Sequence, residues 1–195
     1  MPAACNIVRV EDIAPVPWKN GGGVTRELLA WPDPRHWILR ISVAQIRESG
    51  PFSLFPGVDR WIAVLSGGSV RLETEGLATV ELNPSRTQLQ PFSGDLLTHC
   101  EAGTTESCDF NVMLQRAQGR LTPHAVQELP AMESTANLLA LFVVASAVVT
   151  TEQDEACHLP SMALASWPNP QRERCSLRVA GSHSGLRGWW LQLEV

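Results

Sequence analysis

The chain has 195 residues, enough for one sizeable core or for two smaller halves that share one. Its formal net charge of −5 argues against nucleic-acid binding by phosphate neutralisation, and 44% hydrophobic residues is ordinary for a globular protein. Fourteen Gly and fourteen Pro residues favour many short strands and turns over long helices.

The cysteines and the apolar runs predict the compartment. Five cysteines without a C-x-x-C spacing favour neither a disulfide framework nor a zinc ribbon. The N-terminus lacks a basic region followed by an apolar core, so it does not read as a signal peptide. The longest apolar run, Leu138 to Val149, is shorter than the ~20 residues that span a bilayer. We therefore expect a cytoplasmic protein with reduced cysteines and no membrane partner.

A run of three glycines, 21–23, is the first distinctive feature of the chain, and Lys19 and Arg26 flank it. Glycine adopts positive φ freely, and bare backbone amides can form an anion-binding concavity. The residue order matches neither a P-loop nor the dinucleotide-binding fingerprint. Two interpretations stay open, an anion-binding loop and a tight turn between two strands.

Alternation of apolar and polar residues predicts the strands of the first half. Val24 to Ala30 is expected to be a strand, because the prolines that follow would stop a helix early. Trp37 to Ala44 is the clearest strand, with Arg40 and Ser42 on one face. Those two polar side chains indicate either a solvated sheet face or the lining of a polar cavity. Asp109 to Met113 alternates again and places Asn111 on a polar face, with further strands over 61–65, 70–75 and 78–82.

The second half gives a looser pattern. Ala125 to Leu129 and Ser176 to Val179 predict strands, and the chain is expected to end in a strand after Trp189. Leu138 to Val149 predicts one or two buried strands, with a short buried helix as the open alternative. About ten short strands with frequent turn signals are typical of an all-β sandwich or barrel.

Three motifs occur in a fixed order between residues 15 and 116. They are Pro15 to Glu27, Trp37 to Ala44 followed by Gly50 to Arg60, and Asp109 to Arg116. Together they resemble the HutD family, which includes the Ves proteins. The resemblance implies an all-β, RmlC-like cupin (jelly-roll) fold with little helix, arranged as a bicupin β-barrel of two barrel-like halves. We expect an N-terminal half of residues 1–118 and a C-terminal half of residues 119–195 in one compact unit, and a homodimer.

Metal chemistry is not expected. Cupins that bind metal use a His-x-His pair, whereas the histidines here are isolated: His36, His99, His124, His158 and His183. His99 and Cys100 are adjacent on a predicted strand, so their side chains point to opposite faces. The chain also lacks a Gly-x-Ser-x-Gly nucleophile elbow. We expect no metal, no cofactor and no assignable catalytic residue.

The family motifs carry several cations in a chain that is acidic overall. We expect a metal-independent protein that binds a small anionic metabolite and modulates histidine utilisation or a related stress or metabolic response. The resemblance implies a urocanate- or formylglutamate-like carboxylate. The predicted ligand-binding residues are Lys19, Asn20, Arg40, Ser42, Arg60, Asn111 and Arg116.

Other interpretations remain open. The cations could instead form surface ion pairs with Asp59, Glu27 and Asp109, each worth under ~1 kcal/mol. The protein could be a metal-free isomerase or lyase acting on a similar acid, with Glu27 or Asp109 moving the proton. A purely structural or interaction protein is the third possibility, which the concentration of cations disfavours.

Overall fold

The computed structural model describes residues 5–153, 155–181 and 185–195, so His183 lies outside the described residues. Within those ranges the chain forms nineteen β-strands and two 3₁₀ turns, Val10–Asp12 and Arg116–Gln118. The all-β prediction is confirmed. Neither of these short helical turns approaches the length and apolar character needed to cross a membrane.

The strands are numbered in chain order. They are β1 (Asn6–Arg9), β2 (Val16–Pro17), β3 (Gly23–Trp31), β4 (Leu39–Ile46), β5 (Gly50–Pro51), β6 (Val58–Gly67), β7 (Val70–Thr74), β8 (Val80–Leu82), β9 (Gln90–Ser93), β10 (Thr98–Ala102), β11 (Ser107–Gln115), β12 (Arg120–Ala125), β13 (Ala131–Ser134), β14 (Leu138–Val143), β15 (Ala147–Thr151), β16 (Ala156–Leu159), β17 (Ala163–Pro168), β18 (Cys175–Gly181) and β19 (Gly188–Glu194).

The chain groups into two compact units. The N-terminal unit is Ile13–Gln118, and the C-terminal unit is Gly119–Val195 together with the segment that ends at Asp12. The strand β1 pairs with β17 inside the C-terminal unit. The division into two cupin halves at residue 118 stays a prediction.

The N-terminal unit is a sandwich of two antiparallel sheets. The larger has the order β2-β3-β4-β11-β6-β9, and the smaller has the order β5-β10-β7-β8. Ile62 and Val64 of the larger sheet pack in one apolar cluster with Leu72, Leu82 and Cys100 of the smaller. This cluster identifies the inner face of the larger sheet.

The register of β4, β11 and β6 decides which polar side chains share that inner face. Ser42 lies opposite Asn111, which lies opposite Ile62. In the next row, Arg40 and Arg60 lie on either side of Met113. Because side chains alternate along a strand and opposed residues point the same way, both rows lie on the face of Ile62.

The C-terminal unit is also a two-sheet sandwich. Its sheets have the orders β1-β17-β14-β19-β12 and β13-β18-β15-β16. The run from Leu138 to Val149 forms β14 and most of β15, so the strand prediction is confirmed and the helix alternative is wrong.

The predicted strand over Ala125 to Leu129 is wrong, because β12 ends at Ala125. The amides of Glu128 and Leu129 donate to the Ala125 carbonyl, both at 3.1 Å, and close a turn. Pro130 follows this turn and lacks an amide that could extend a ladder.

Candidate functional site

Arg60 is a buried cation in an aromatic cage. It lies on β6 and is 8% exposed. Its guanidinium carbon lies 5.1 Å from the ring centroid of Phe52, 5.5 Å from that of Phe55 and 4.6 Å from that of Phe92. Phe92 lies directly opposite Arg60 in the pairing of β6 with β9. The three rings hold the cation through cation–π contacts, which are stronger where water is excluded.

The polar surroundings of Arg60 do not neutralise its charge. Nη1 donates to the Ser53 carbonyl at 3.4 Å, and the buried Nε has no hydrogen-bond partner. Among the described residues, no carboxylate lies within ion-pair distance of this guanidinium. Burial, and then the nearby charge of Arg40, lower the pKa of Arg60 to about 10. The side chain therefore stays cationic at neutral pH while lacking an anion.

Arg40 has a different environment, because it is paired. The register of β3 and β4 shifts between Glu27 and Leu29, and Glu27 lies opposite Ser42. Nε of Arg40 donates to the Glu27 carboxylate at 2.5 Å, with both side chains about one-third exposed. Two carboxylates of the surface-pair alternative therefore do pair with predicted cations, Glu27 with Arg40 and Asp59 with Arg116, and neither neutralises Arg60.

Ser42 and Asn111 supply neutral polar groups beside the two arginines. Ser42 is buried, and Asn111 is half-buried directly opposite it. The side-chain amide of Asn111 donates to the backbone carbonyl of Asp109 at 3.3 Å. The inner face thus combines two guanidinium groups, a hydroxyl and an amide in two adjacent rows.

Asp109 is a buried carboxyl on the same face. It is 0% exposed; its Oδ2 accepts a hydrogen bond from the Ser107 hydroxyl at 2.7 Å, and its Oδ1 has no partner. Burial raises the pKa of Asp109 to about 7, although the Ser107 hydrogen bond opposes the shift. Asp109 is therefore not the surface ion-pair partner that the alternative required, and it can hold or release a proton near neutral pH.

Lys19 and Asn20 lie in a hairpin turn between β2 and β3. The backbone amide of Trp18 donates to the Gly23 carbonyl, and the Gly21 amide donates to the Trp18 carbonyl. The Gly22 amide donates to the side-chain oxygen of Asn20. These amides are used inside the turn, which favours the tight-turn interpretation over an anion-binding loop. Gly23 allows a close approach, because a Cβ there would lie 2.4 Å from the Gln45 carbonyl oxygen.

Arg116 forms surface ion pairs. It begins the 3₁₀ turn after β11, and it donates to Asp59 at 2.8 Å and to Asp95 at 2.9 Å. These two carboxylates raise the pKa of Arg116, Asp59 contributing most. A bulge near the end of β11 could have turned Arg116 toward the inner face. The register shift of β11 against β6 lies instead between Cys108 and Asp109.

The seven predicted residues therefore lie in three places. Arg40, Ser42, Arg60 and Asn111 share the inner face. Lys19 and Asn20 adjoin Gly23, which pairs with Ile46, six positions along β4 from Arg40 and thus ~20 Å away at ~3.3 Å per residue. Arg116 is exposed on its carboxylates.

Phe52 of the aromatic cage also lines an open cavity of about 430 Å³. Its lining includes the carboxylates of Glu73 and Glu75, which would repel an anion. The other lining residues are Pro51, Thr74, Leu97, Thr98 and His99.

The described residues contain no group of three His, Cys, Asp or Glu side chains placed to hold a metal ion. His99 is exposed and Cys100 is buried, as expected for adjacent residues of one strand. A metal-free site stays a prediction.

The aromatic cage was not predicted from the sequence. Phe52 and Phe55 lie in the same motif as Arg60, and that proximity was an available signal. No signal in the sequence linked Phe92 to Arg60, because the pairing of β9 with β6 brings the two residues together.

Comparison with known proteins identifies the family. The HutD family model matches residues 10–184. The chain belongs to the HutD family. The resemblance seen in the three motifs is thereby confirmed, and the match extends well past the last of them.

Two relatives illustrate the range of the family. Protein Ves of Citrobacter koseri is 41% identical over 103 residues, which are 51% of this chain and 52% of that protein. The chain thus spans about half the length of the Ves proteins that it matches. A 21.2 kDa protein of Pseudomonas putida from the hutC 3′ region is 33% identical over 150 residues, 73% of this chain and 75% of the other.

Solved structures agree with this assignment. HutD of Pseudomonas fluorescens SBW25 has a TM-score of 0.84 at 27% identity, covering 98% of both chains. Two distant proteins show the fold alone. Protein Ylba of E. coli has a TM-score of 0.69 at 10% identity, covering 99% of this chain and 92% of that one. An oxalate decarboxylase variant of Bacillus subtilis has a TM-score of 0.62 at 9% identity, covering 96% and 77%. The all-β cupin prediction is confirmed.

Proposed function

We propose that this HutD-family protein binds a small carboxylate on the inner face of its N-terminal unit and thereby modulates histidine utilisation or a related metabolic response. One observation carries the proposal. Within the described part of the chain, the buried guanidinium of Arg60 has no carboxylate partner, whereas Arg40, in the same row, is paired with Glu27.

The energetics favour an anionic ligand at Arg60. A buried charge is costly unless it is paired and hydrogen-bonded, and the Nε of Arg60 is a buried donor without an acceptor. The phenylalanine rings hold the cation but offer no hydrogen-bond acceptor. A carboxylate would supply one, and each charge-assisted hydrogen bond contributes ~1.5–3 kcal/mol. Arginine also presents a planar fork that matches a carboxylate.

The surroundings narrow the ligand class. Ser42 and Asn111 offer hydrogen bonds beside the cation, and Phe52 and Phe92 offer apolar surface. A carboxylate that also carries a polar group and a short apolar portion suits this combination. The family name and the hutC region of the Pseudomonas putida relative make urocanate and formylglutamate the first candidates. The Pseudomonas fluorescens HutD structure is of a formate condition, so formate is the minimal probe.

Calorimetric titration tests the proposal. Wild-type protein is titrated with urocanate, formylglutamate and formate, and the Arg60→Ala variant is titrated in parallel. We expect binding to weaken about 10–100-fold in the variant, since ~1.4 kcal/mol corresponds to one decade. Arg116→Ala is the matched control, because it removes a cation that is already paired at the surface. Equal binding by wild type and Arg60→Ala would refute the proposed site, as would failure of all three acids to bind at millimolar concentration.

Asp109 favours a second candidate function, a metal-free isomerase or lyase acting on such an acid. It is a buried carboxyl two positions from Asn111 on the same strand face, and its pKa of about 7 suits proton transfer at neutral pH. Proton NMR of each acid in D₂O would detect turnover or exchange of a carbon-bound hydrogen. This function requires activity in wild type and its loss in Asp109→Asn with binding retained. Binding without either reaction would leave the ligand-binding function and reject the enzyme.

A further inference from the structure

Two cysteines meet in the C-terminal unit although 152 positions separate them in the chain. Cys5 directly precedes β1, and Cys157 lies in β16. Their sulfur atoms are 3.3 Å apart. Both side chains are half-buried and pack against the apolar cluster of this unit.

The strand ladders fix this contact from both sides. Asn6, next to Cys5, pairs with Ser166 of β17. Cys157 itself pairs with Val149 of β15. Cys157 belongs to a strand ladder and Cys5 directly adjoins one. The folded unit itself therefore holds the two thiols close together.

We propose that Cys5 and Cys157 form an oxidation-dependent disulfide that fastens the edge strand β1 to β16. The other cysteines differ in their surroundings. Cys100 and Cys175 are buried, and Cys108 lies on β11 of the N-terminal unit. Among the described residues, Cys5 and Cys157 are the pair of thiols that lie within hydrogen-bond distance of each other.

Hydrogen peroxide is the oxidant in the proposed reaction. The Cys157 thiolate attacks one peroxide oxygen, the O–O bond breaks, and the departing hydroxide takes up a proton to become water. The resulting Cys157 sulfenic acid is attacked by the sulfur of Cys5, which loses its proton, and a second water leaves as the S–S bond forms. The two thiols lose two electrons and two protons in total, and the peroxide becomes two waters.

Burial, and then the interaction with Cys157, raise the pKa of Cys5 to about 12. The Cys5 thiol is therefore mostly protonated at neutral pH, which is why the first attack is assigned to Cys157.

The bond would act mainly on the unfolded chain. A cross-link between positions 152 apart removes much of the conformational freedom of the unfolded state. The oxidised protein should therefore melt about 5–15 °C above the reduced protein. The reduced protein would keep β1 attached through its pairing with β17 and through the non-covalent contact between Cys5 and Cys157.

Thiol counting and peptide mapping test the proposal. Purified protein of residues 1–195 is treated with hydrogen peroxide at pH 8, denatured and titrated for free thiols. We expect the count to fall from five to three. Mass spectrometry of the digest should show one peptide pair joined through Cys5 and Cys157, which dithiothreitol separates. The melting temperature is recorded before and after oxidation.

Three variants serve as controls. Cys5→Ser and Cys157→Ser should lose both the cross-link and the rise in melting temperature, whereas Cys108→Ser, which removes another half-buried thiol, should keep both. Retention of five free thiols, or a cross-link through other cysteines or between chains, would overturn the proposal. So would a Cys5–Cys157 bond that leaves the melting temperature unchanged or lowers it.

Discussion

Phe92 stands directly opposite Arg60 on the neighbouring strand, and the guanidinium carbon of Arg60 lies 4.6 Å from the centre of its ring. The contact joins a buried cation to a ring that is itself buried. It positions the guanidinium without neutralising it. A cation held in place and left without an anion is the basis for the proposed binding site.

The first prediction concerns the cost of that cation. Replacement of Arg60 by Met removes a buried unpaired charge but keeps most of the apolar volume, so stability should be unchanged or greater by up to about 2 kcal/mol. The free energy of unfolding in urea measures this, and carboxylate binding should be lost in the same protein. The matched control is Arg40→Met, which leaves Glu27 without its partner and should cost up to about 1 kcal/mol. A loss above about 2 kcal/mol in Arg60→Met would mean that the guanidinium is structural.

The second prediction isolates the contact between Arg60 and Phe92. The variants Arg60→Met, Phe92→Leu and their combination form a double-mutant cycle, which removes the separate cost of changing a buried ring. We expect a coupling free energy of about 0.5–2 kcal/mol in the stabilising direction. Denaturant unfolding of the four proteins gives the value, and a coupling near zero would contradict the aromatic-cage description.

The parts of this site that could be predicted from the sequence depend on the two-residue period of a strand. Alternation alone places Arg40 beside Ser42, and Asn111 on the polar face of its own strand. The order of the strands brings those faces together, with β11 between β4 and β6. That order is set by long-range pairing, which local pattern does not contain.

The residues that were misplaced show the same limit. Arg116 lies outside the alternating strand, so its direction depends on where β11 ends and on the carboxylates of Asp59 and Asp95 nearby. The pairing of Glu27 with Arg40 accompanies a register shift after Glu27, which the sequence pattern does not reveal. The fold class was easier to predict, because the turn residues and ordered motifs extend over the first 116 residues.

The third prediction is a pH dependence of stability that arises from Asp109. Its pKa is about 7 in the folded protein against ~3.9 in an unfolded chain, so the folded state binds more protons between these values. Stability should therefore fall as the pH rises from about 4 to about 7, by about 1.4 kcal/mol for each unit of the shift. Burial, with a smaller contribution from Asp109, raises the pKa of the neighbouring thiols Cys100 and Cys108 to about 12 and about 11, so they stay neutral throughout this range.

Asp109→Asn provides the test of that pH dependence. Urea unfolding of wild type and variant at pH 5 and pH 8 should show the variant gaining stability relative to wild type at the higher pH. The same difference between the two proteins at both pH values would show that Asp109 does not titrate in this range.

The fourth prediction concerns the glycine turn. Gly23→Ala places a methyl group 2.4 Å from the Gln45 carbonyl oxygen, so the backbone of β3 or β4 has to move. Gly21→Ala meets no atom within 4 Å and costs only the strain of its positive φ, ~1–2 kcal/mol. We expect Gly23→Ala to be the more destabilising of the two in thermal unfolding. The reverse order would contradict the tight-turn description.

A crystal structure of the wild-type protein with urocanate or formate would show where the carboxylate binds. We predict electron density for the carboxylate on the inner face of the N-terminal unit, with an oxygen within ~3.2 Å of a guanidinium nitrogen of Arg60. Its polar remainder would lie near Ser42 or Asn111. A carboxylate bound at Lys19 or Arg116, with the Nε of Arg60 still lacking an acceptor, would contradict this prediction.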